Sequence, residues 1–118
     1  MNSVAVLMRR APYGSVYTAE GFRTIVGIAV FELDITVVFV DDGVYGLVRQ
    51  QDPSKLTMKP LGGGFPTLAE FGVTKFVVHD QSLAERGLAA ADLVMDVEIV
   101  DGARIAQILE AAGKVLPF

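Results

Sequence analysis

The chain has 118 residues, of which 52% are apolar and 20% charged, and its formal net charge is −4. This length suits one domain with a real core. The composition excludes disorder, and an acidic chain whose only basic cluster is Arg9-Arg10 argues against a nucleic-acid surface. With no cysteine and a single histidine, the chain cannot supply disulfides, thiolate or iron–sulfur ligation, a cysteine nucleophile, or a metal site built on two imidazoles.

No apolar stretch reaches the length of a membrane span, and no basic segment leads into an apolar run with a small-residue cleavage site. A cytoplasmic protein with no membrane attachment is therefore expected. Mean hydropathy is positive, high for a small domain with much surface per unit volume, so an oligomer is expected.

The run "SVAVLM" from Ser3 to Met8 is valine-rich and reads as a buried strand. "RRAPYGS" is a loop punctuated by Pro12 and Gly14. From Val16 to Leu33, Phe22, Ile25, Val26, Ala29 and Val30 recur at helical spacing, which predicts a long helix packed on a sheet, capped by Ser15 or Thr18. "ITVVFV", Ile35 to Val40, is β-branched and uncharged, hence a strand buried on both faces. "DDG" ends it and "VYGLVRQQ" reads as a short helix. Asp52 to Pro66 is a Pro- and Gly-rich loop, and "TLAEFG" is a helical turn or two stopped by Gly72. "KFVVH" is the third strand, Lys75 to His79. Ser82 to Arg86 is a short helix closed by Gly87. "VMDVEIV", Val94 to Val100, alternates as an edge strand would. "DGARIAQILEAAG" is a helix capped by Asp101 and ended by Gly113, and "KVLPF" is a last strand or tail.

Strands alternating with helices predict an α/β fold: a single three-layer domain over residues 1–118, with a mostly parallel central sheet of about five strands and helices on both faces. Ligands of such sheets sit outside the carboxyl ends of the strands, near a switch in strand order. Three loops leave those ends, carrying Arg9, Tyr13, Gly14 and Ser15; Asp41 and Asp42; and His79, Asp80 and Ser82. The first precedes a helix whose free N–H groups suit an anion, although it has neither phosphate-loop glycine pattern. Asp41-Asp42 follows the wrong strand for a receiver-type magnesium site, and Asp42 reads instead as the cap of a helix starting near Val44, with Gly43 in a tight turn. His79 stands at the mouth of the expected cleft, where an imidazole can shuttle protons or hydrogen-bond an anion, with Asp80 placed to orient it. Ser82, His79 and Asp80 are too close in sequence to form a catalytic triad. His79 is therefore expected to lie within one shell of Gly14 and Asp42. No catalytic residue, metal site or cofactor is assigned.

The segments "VAVLMRRAPYGSVYTAEGF", "VVFVDDGVYGLV", "SLAERGL" and "KVLPF", in this order along nearly the whole chain, resemble the DsrE/DsrF-like sulfur-relay family, in particular its DsrF/TusC branch. The resemblance implies a trimer or hexamer, with DsrE/TusD-type and DsrH/TusB-type partners or with itself. It also implies a role in passing persulfide sulfur for tRNA 2-thiouridine formation or for sulfur oxidation. The family's working cysteine sits on the turn before the short helix ending in "RG", and the matching position here is His79. A chain with histidine there is expected to be a non-catalytic subunit, not an enzyme on its own. The alternative is a homo-oligomeric module binding a small molecule or anion in a cleft around Gly14, Asp42 and His79.

Overall fold

A computed structural model describes residues 3–12, 16–48 and 64–118 of the chain. Tyr13, Gly14 and Ser15, with most of the Pro- and Gly-rich loop, lie outside the described residues.

Five strands form one sheet: β1 (Ser3–Met8), β2 (Asp34–Phe39), β3 (Lys75–His79), β4 (Glu98–Val100) and β5 (Lys114–Pro117), in the order β4-β3-β2-β1-β5. Every ladder is parallel. The three central strands are the three valine-rich runs, and their burial on both faces explains why they show no polar alternation.

Two apolar clusters mark the two faces. On one, Val4, Val6 and Met8 of β1, Val37 and Phe39 of β2, and Phe76 and Val78 of β3 pack against Ile25 of α1 (Tyr17–Ala29). The same cluster takes in Val44 and Leu47 of a 3₁₀ segment (Asp41–Leu47), Phe65 and Leu68 of a second (Phe65–Phe71), and Leu83 of α2 (Asp80–Glu85). Phe65 centres it, meeting Phe22 and Phe39 edge-on at ring separations of 5.4 and 5.3 Å. On the other face, Val38 and Val77 meet Ile105 of α3 (Gly102–Ala111). Helices thus cover both faces, unequally.

The ends of elements differ from the sequence reading in instructive ways. The first helix stops at Ala29, four residues before Leu33, because the chain must reverse into β2. Phe31 and Glu32 bond back to Ile28 and Ala29, and Glu32 turns through φ 56°. Its N-cap is Val16 with no side-chain bond, and Thr18 instead donates its hydroxyl to the Arg10 carbonyl at 3.1 Å. The alternating run 94–100 yields only three strand residues. Leu93 and Val94 are taken by an antiparallel bridge to Val48 and a 2.8 Å bond to the Leu47 carbonyl, so the chain joins the sheet only at Glu98. Asp101 caps α3 as expected, accepting from the Arg104 N–H at 2.9 Å, and Gly72 ends its helical segment with φ 83°.

Candidate functional site: the crevice outside β3 and β4

After β3 the chain passes through α2, whose Leu83 packs on the α1 face; after the adjacent β4 it passes through α3, on the opposite face. Neighbouring strands that send their connections to opposite sides leave a crevice between their carboxyl ends, the usual ligand position in such sheets. His79 and Val100, the last residues of β3 and β4, are register partners there.

His79 shares its face of the sheet with Val77, toward α3. A Cβ added at Gly102 would lie 3.5 Å from its Nε2, so the ring reaches the first turn of α3. Its Nδ1 lies 2.7 Å from Oγ of Ser82, a residue only 1% exposed. The same Oγ accepts the backbone N–H of Asp41 at 2.9 Å. Ser82 therefore joins two loops 41 residues apart in sequence. Asp41 is one of two described non-glycine residues at positive φ, here 49°, a conformation aspartate tolerates better than most.

Asp42 does not cap the 3₁₀ segment Asp41–Leu47, in which it is the second residue and whose N-cap is Val40 without a side-chain bond. Its carboxylate takes Nε and an NH2 group of Arg86 at 3.0 and 2.9 Å, while the other arm of the guanidinium donates to the Ser82 carbonyl at 3.1 Å. A fork-shaped guanidinium suits this bridging, which ties the β2 loop to the end of α2. Arg86 was not singled out by sequence reasoning. The only available signal was a basic residue in the last turn before Gly87, which reads equally as a helix-end charge.

Asp80 does not orient His79. Its Oδ1 is 3.9 Å from Nε2, beyond hydrogen-bond reach, and accepts the Gln81 N–H at 2.6 Å. Gly43 has a different role from a simple turn: a Cβ there would lie 2.0 Å from the Met8 carbonyl oxygen, so the β2 loop lies directly on the end of β1. Arg9 and Arg10 leave β1, two strands from β3 or about 10 Å at usual spacing. The Arg9 N–H bonds the Phe118 carbonyl at 3.1 Å, and the Arg10 guanidinium lies 4.3 Å from the Tyr17 ring centre. Among the described residues, no hydrogen bond or ion pair links either arginine to the His79–Ser82–Asp41 group. The proximity of His79 to Gly14 lies outside the described residues.

Two grooves flank α3 near the amino ends of the strands: one of about 610 Å³ lined by Lys75, Glu98 and Arg104 among others, and one of about 290 Å³ that includes Asp34 and Gln107. They are at the far end of the sheet from His79, and their charged side chains are exposed, Lys75 pairing with Asp34 at 2.7 Å. No buried polar groups converge there, so the chemistry favours the crevice. Among the described residues, no group of three or more His, Asp or Glu is placed to hold a metal ion, and no helix is long and apolar enough to cross a membrane.

Comparison with known proteins gives a consistent picture. The model of the DsrE/DsrF-like family matches residues 2–118. The chain is 36% identical to a TusC homolog of Vibrio parahaemolyticus, over 100% of both chains. It is 35% identical to the intracellular sulfur oxidation protein DsrF of Allochromatium vinosum, over 95% of this chain and 93% of the relative. Among solved structures, the crystal structure of the ychN protein from E. coli superposes with a TM-score of 0.85 at 25% identity, covering 100% of each chain.

Proposed function

The chain belongs to the DsrE/DsrF-like family, and from that premise we propose that it is a non-catalytic subunit of an oligomeric sulfur-relay complex in the cytoplasm. It supports persulfide transfer by cysteine-bearing partners of the DsrE/TusD and DsrH/TusB types, in tRNA 2-thiouridine formation or in sulfur oxidation. The observation that carries this reading is the absence of cysteine from a chain aligned end to end with a TusC homolog. Persulfide sulfur moves when an acceptor thiolate attacks the terminal sulfur of a donor's persulfide, forming a new S–S bond as the donor's own thiolate leaves. A chain without a thiolate cannot accept that sulfur covalently, so its contribution is to shape the complex and to line a partner's site.

Exposed apolar side chains support a subunit role. Val30 and Phe31 are 70% and 71% exposed, and Phe71 is 47% exposed. Val30 and Phe31 precede β2 and Phe71 precedes β3, so all three sit near the amino end of the sheet, away from His79. A contact there leaves the crevice open.

Native mass spectrometry of the protein isolated from its own cells tests the proposal. A mixed assembly containing cysteine-bearing relatives supports it. A pure homo-oligomer refutes it, and a small adduct on that oligomer would instead identify an anion-binding module.

A further inference from the structure

The hydrogen bonds around Ser82 determine which ring nitrogen of His79 carries the proton. Ser82 Oγ already accepts the Asp41 N–H, and the residue is 1% exposed. Its hydroxyl proton needs an acceptor, and His79 Nδ1 at 2.7 Å is the one within reach among the described residues. If Nδ1 carried the proton, the hydroxyl oxygen would accept twice and its own hydrogen would be buried without a partner, which folded proteins avoid. Nδ1 is therefore the acceptor and Nε2 carries the hydrogen.

That Nε2–H has no acceptor within hydrogen-bond distance among the described residues. It faces the first turn of α3 at Gly102, and the nearest carboxylate oxygen, on Asp80, is 3.9 Å away and engaged with the Gln81 N–H. The imidazole side chain is 21% exposed, so the donor opens to the crevice.

We propose that Ser82 is a positioning residue that holds His79 as the Nε2–H tautomer, so that His79 donates a hydrogen bond to the terminal sulfur of a persulfide carried by a partner polypeptide. The choice of sulfur rests on the sulfur-relay reading. The partner-borne source follows from the local charge: the Asp80 carboxylate stands 3.9 Å from Nε2, and Arg9 and Arg10 leave β1, two strands away. A free dianion at Nε2 meets that carboxylate with two negative charges, whereas a persulfide on a polypeptide meets it with one and brings its own neutralising groups. His79 forms no covalent bond in this scheme. It stabilises the terminal sulfur while chemistry proceeds on the partner's cysteine.

The single histidine makes the test direct. In 15N-labelled protein, held at a pH where the ring is neutral, long-range 1H–15N correlation reads both ring nitrogens. The expected wild-type spectrum has Nε2 protonated and Nδ1 bare, and Ser82→Ala should move the Nδ1 resonance toward mixed tautomers. A protonated Nδ1 in the wild type overturns the proposal, as does an unchanged ring spectrum in a Ser82→Ala protein whose backbone spectrum is intact. Titration adds a second arm that needs only the wild type. Cysteamine persulfide, generated in place from cystamine and sulfide, should shift the Nε2 resonance saturably, cysteamine should not, and thiosulfate should bind about tenfold more weakly. Equal or tighter binding of thiosulfate overturns the partner-borne assignment, and no shift with the persulfide overturns the donor role. The relay reading is tested separately by the mixed assembly, so a complex that forms around an Nδ1–H histidine refutes this inference alone.

Discussion

Replacing Gly43 by alanine should unfold the corner where β1, β2 and the crevice loops meet. A Cβ at this position would stand 2.0 Å from the Met8 carbonyl oxygen, 2.5 Å from its carbon and 3.0 Å from the Arg9 nitrogen. The first separation falls 1.4 Å short of the 3.4 Å at which ordinary contact begins, and all three atoms are backbone, with no rotamer to yield. The Met8 oxygen is also the acceptor of the Val40 N–H at 3.0 Å, and the Gly43 N–H bonds Val40 at 2.9 Å, so relieving the overlap strains both bonds. Each bond contributes about 1 kcal/mol, and the overlap itself costs about 2 kcal/mol. Alanine recovers roughly 0.7 kcal/mol by restricting the unfolded chain. The net loss is about 3 kcal/mol. In urea, with a slope of about 1.5 kcal/mol/M, the midpoint should fall by about 2 M. The chain has no tryptophan, so far-UV circular dichroism is the probe, at one fixed protein concentration because any self-association would add to apparent stability. Gly27→Ala is the control. It lies inside α1 with nothing within 4 Å of the added carbon, and should stabilise by about 0.5–1 kcal/mol. A Gly43→Ala loss below about 1 kcal/mol would refute the close-approach argument.

Other expectations follow from the same contacts. Asp101→Ala removes the cap of α3 and should cost about 1 kcal/mol in the same urea assay, with Asp101→Ser recovering most of it. A double-mutant cycle between Asp42→Ala and Arg86→Ala should give a coupling of about 1 kcal/mol, since the arginine is largely buried while the carboxylate is exposed. The Lys75–Asp34 pair is short at 2.7 Å but both side chains are 58% exposed, so its cycle should return less than about 0.5 kcal/mol and vanish in high salt. Phe31→Lys should leave the circular dichroism spectrum unchanged and lower the oligomer mass measured by light scattering; an unchanged mass would remove Phe31 from any subunit contact.

The sequence by itself determined the elements whose cause is local. "SVAVLM", "ITVVFV" and "KFVVH" are strands because β-branched runs without charge suit a sheet buried on both sides. Asp101 and Gly72 mark helix ends because a cap or a positive φ is a property of a few neighbouring atoms. The lack of a thiol was equally plain, and with it the limit on sulfur chemistry. The tertiary structure decided what depends on distant partners. Val94 to Val97 alternate like a strand, yet Leu93 and Val94 are claimed by Val48 and Leu47, a competition that no local pattern encodes. Asp42 has the sequence of a cap and became the partner of Arg86, 44 residues away. Asp80 looked like the group to orient His79, but adjacent side chains at a strand-to-helix turn diverge, and one helical turn brought Ser82 back under the ring instead. Periodicity fixes which face a residue occupies, whereas strand order and loop approach fix which residues it meets, because those contacts come from packing of segments far apart in the chain.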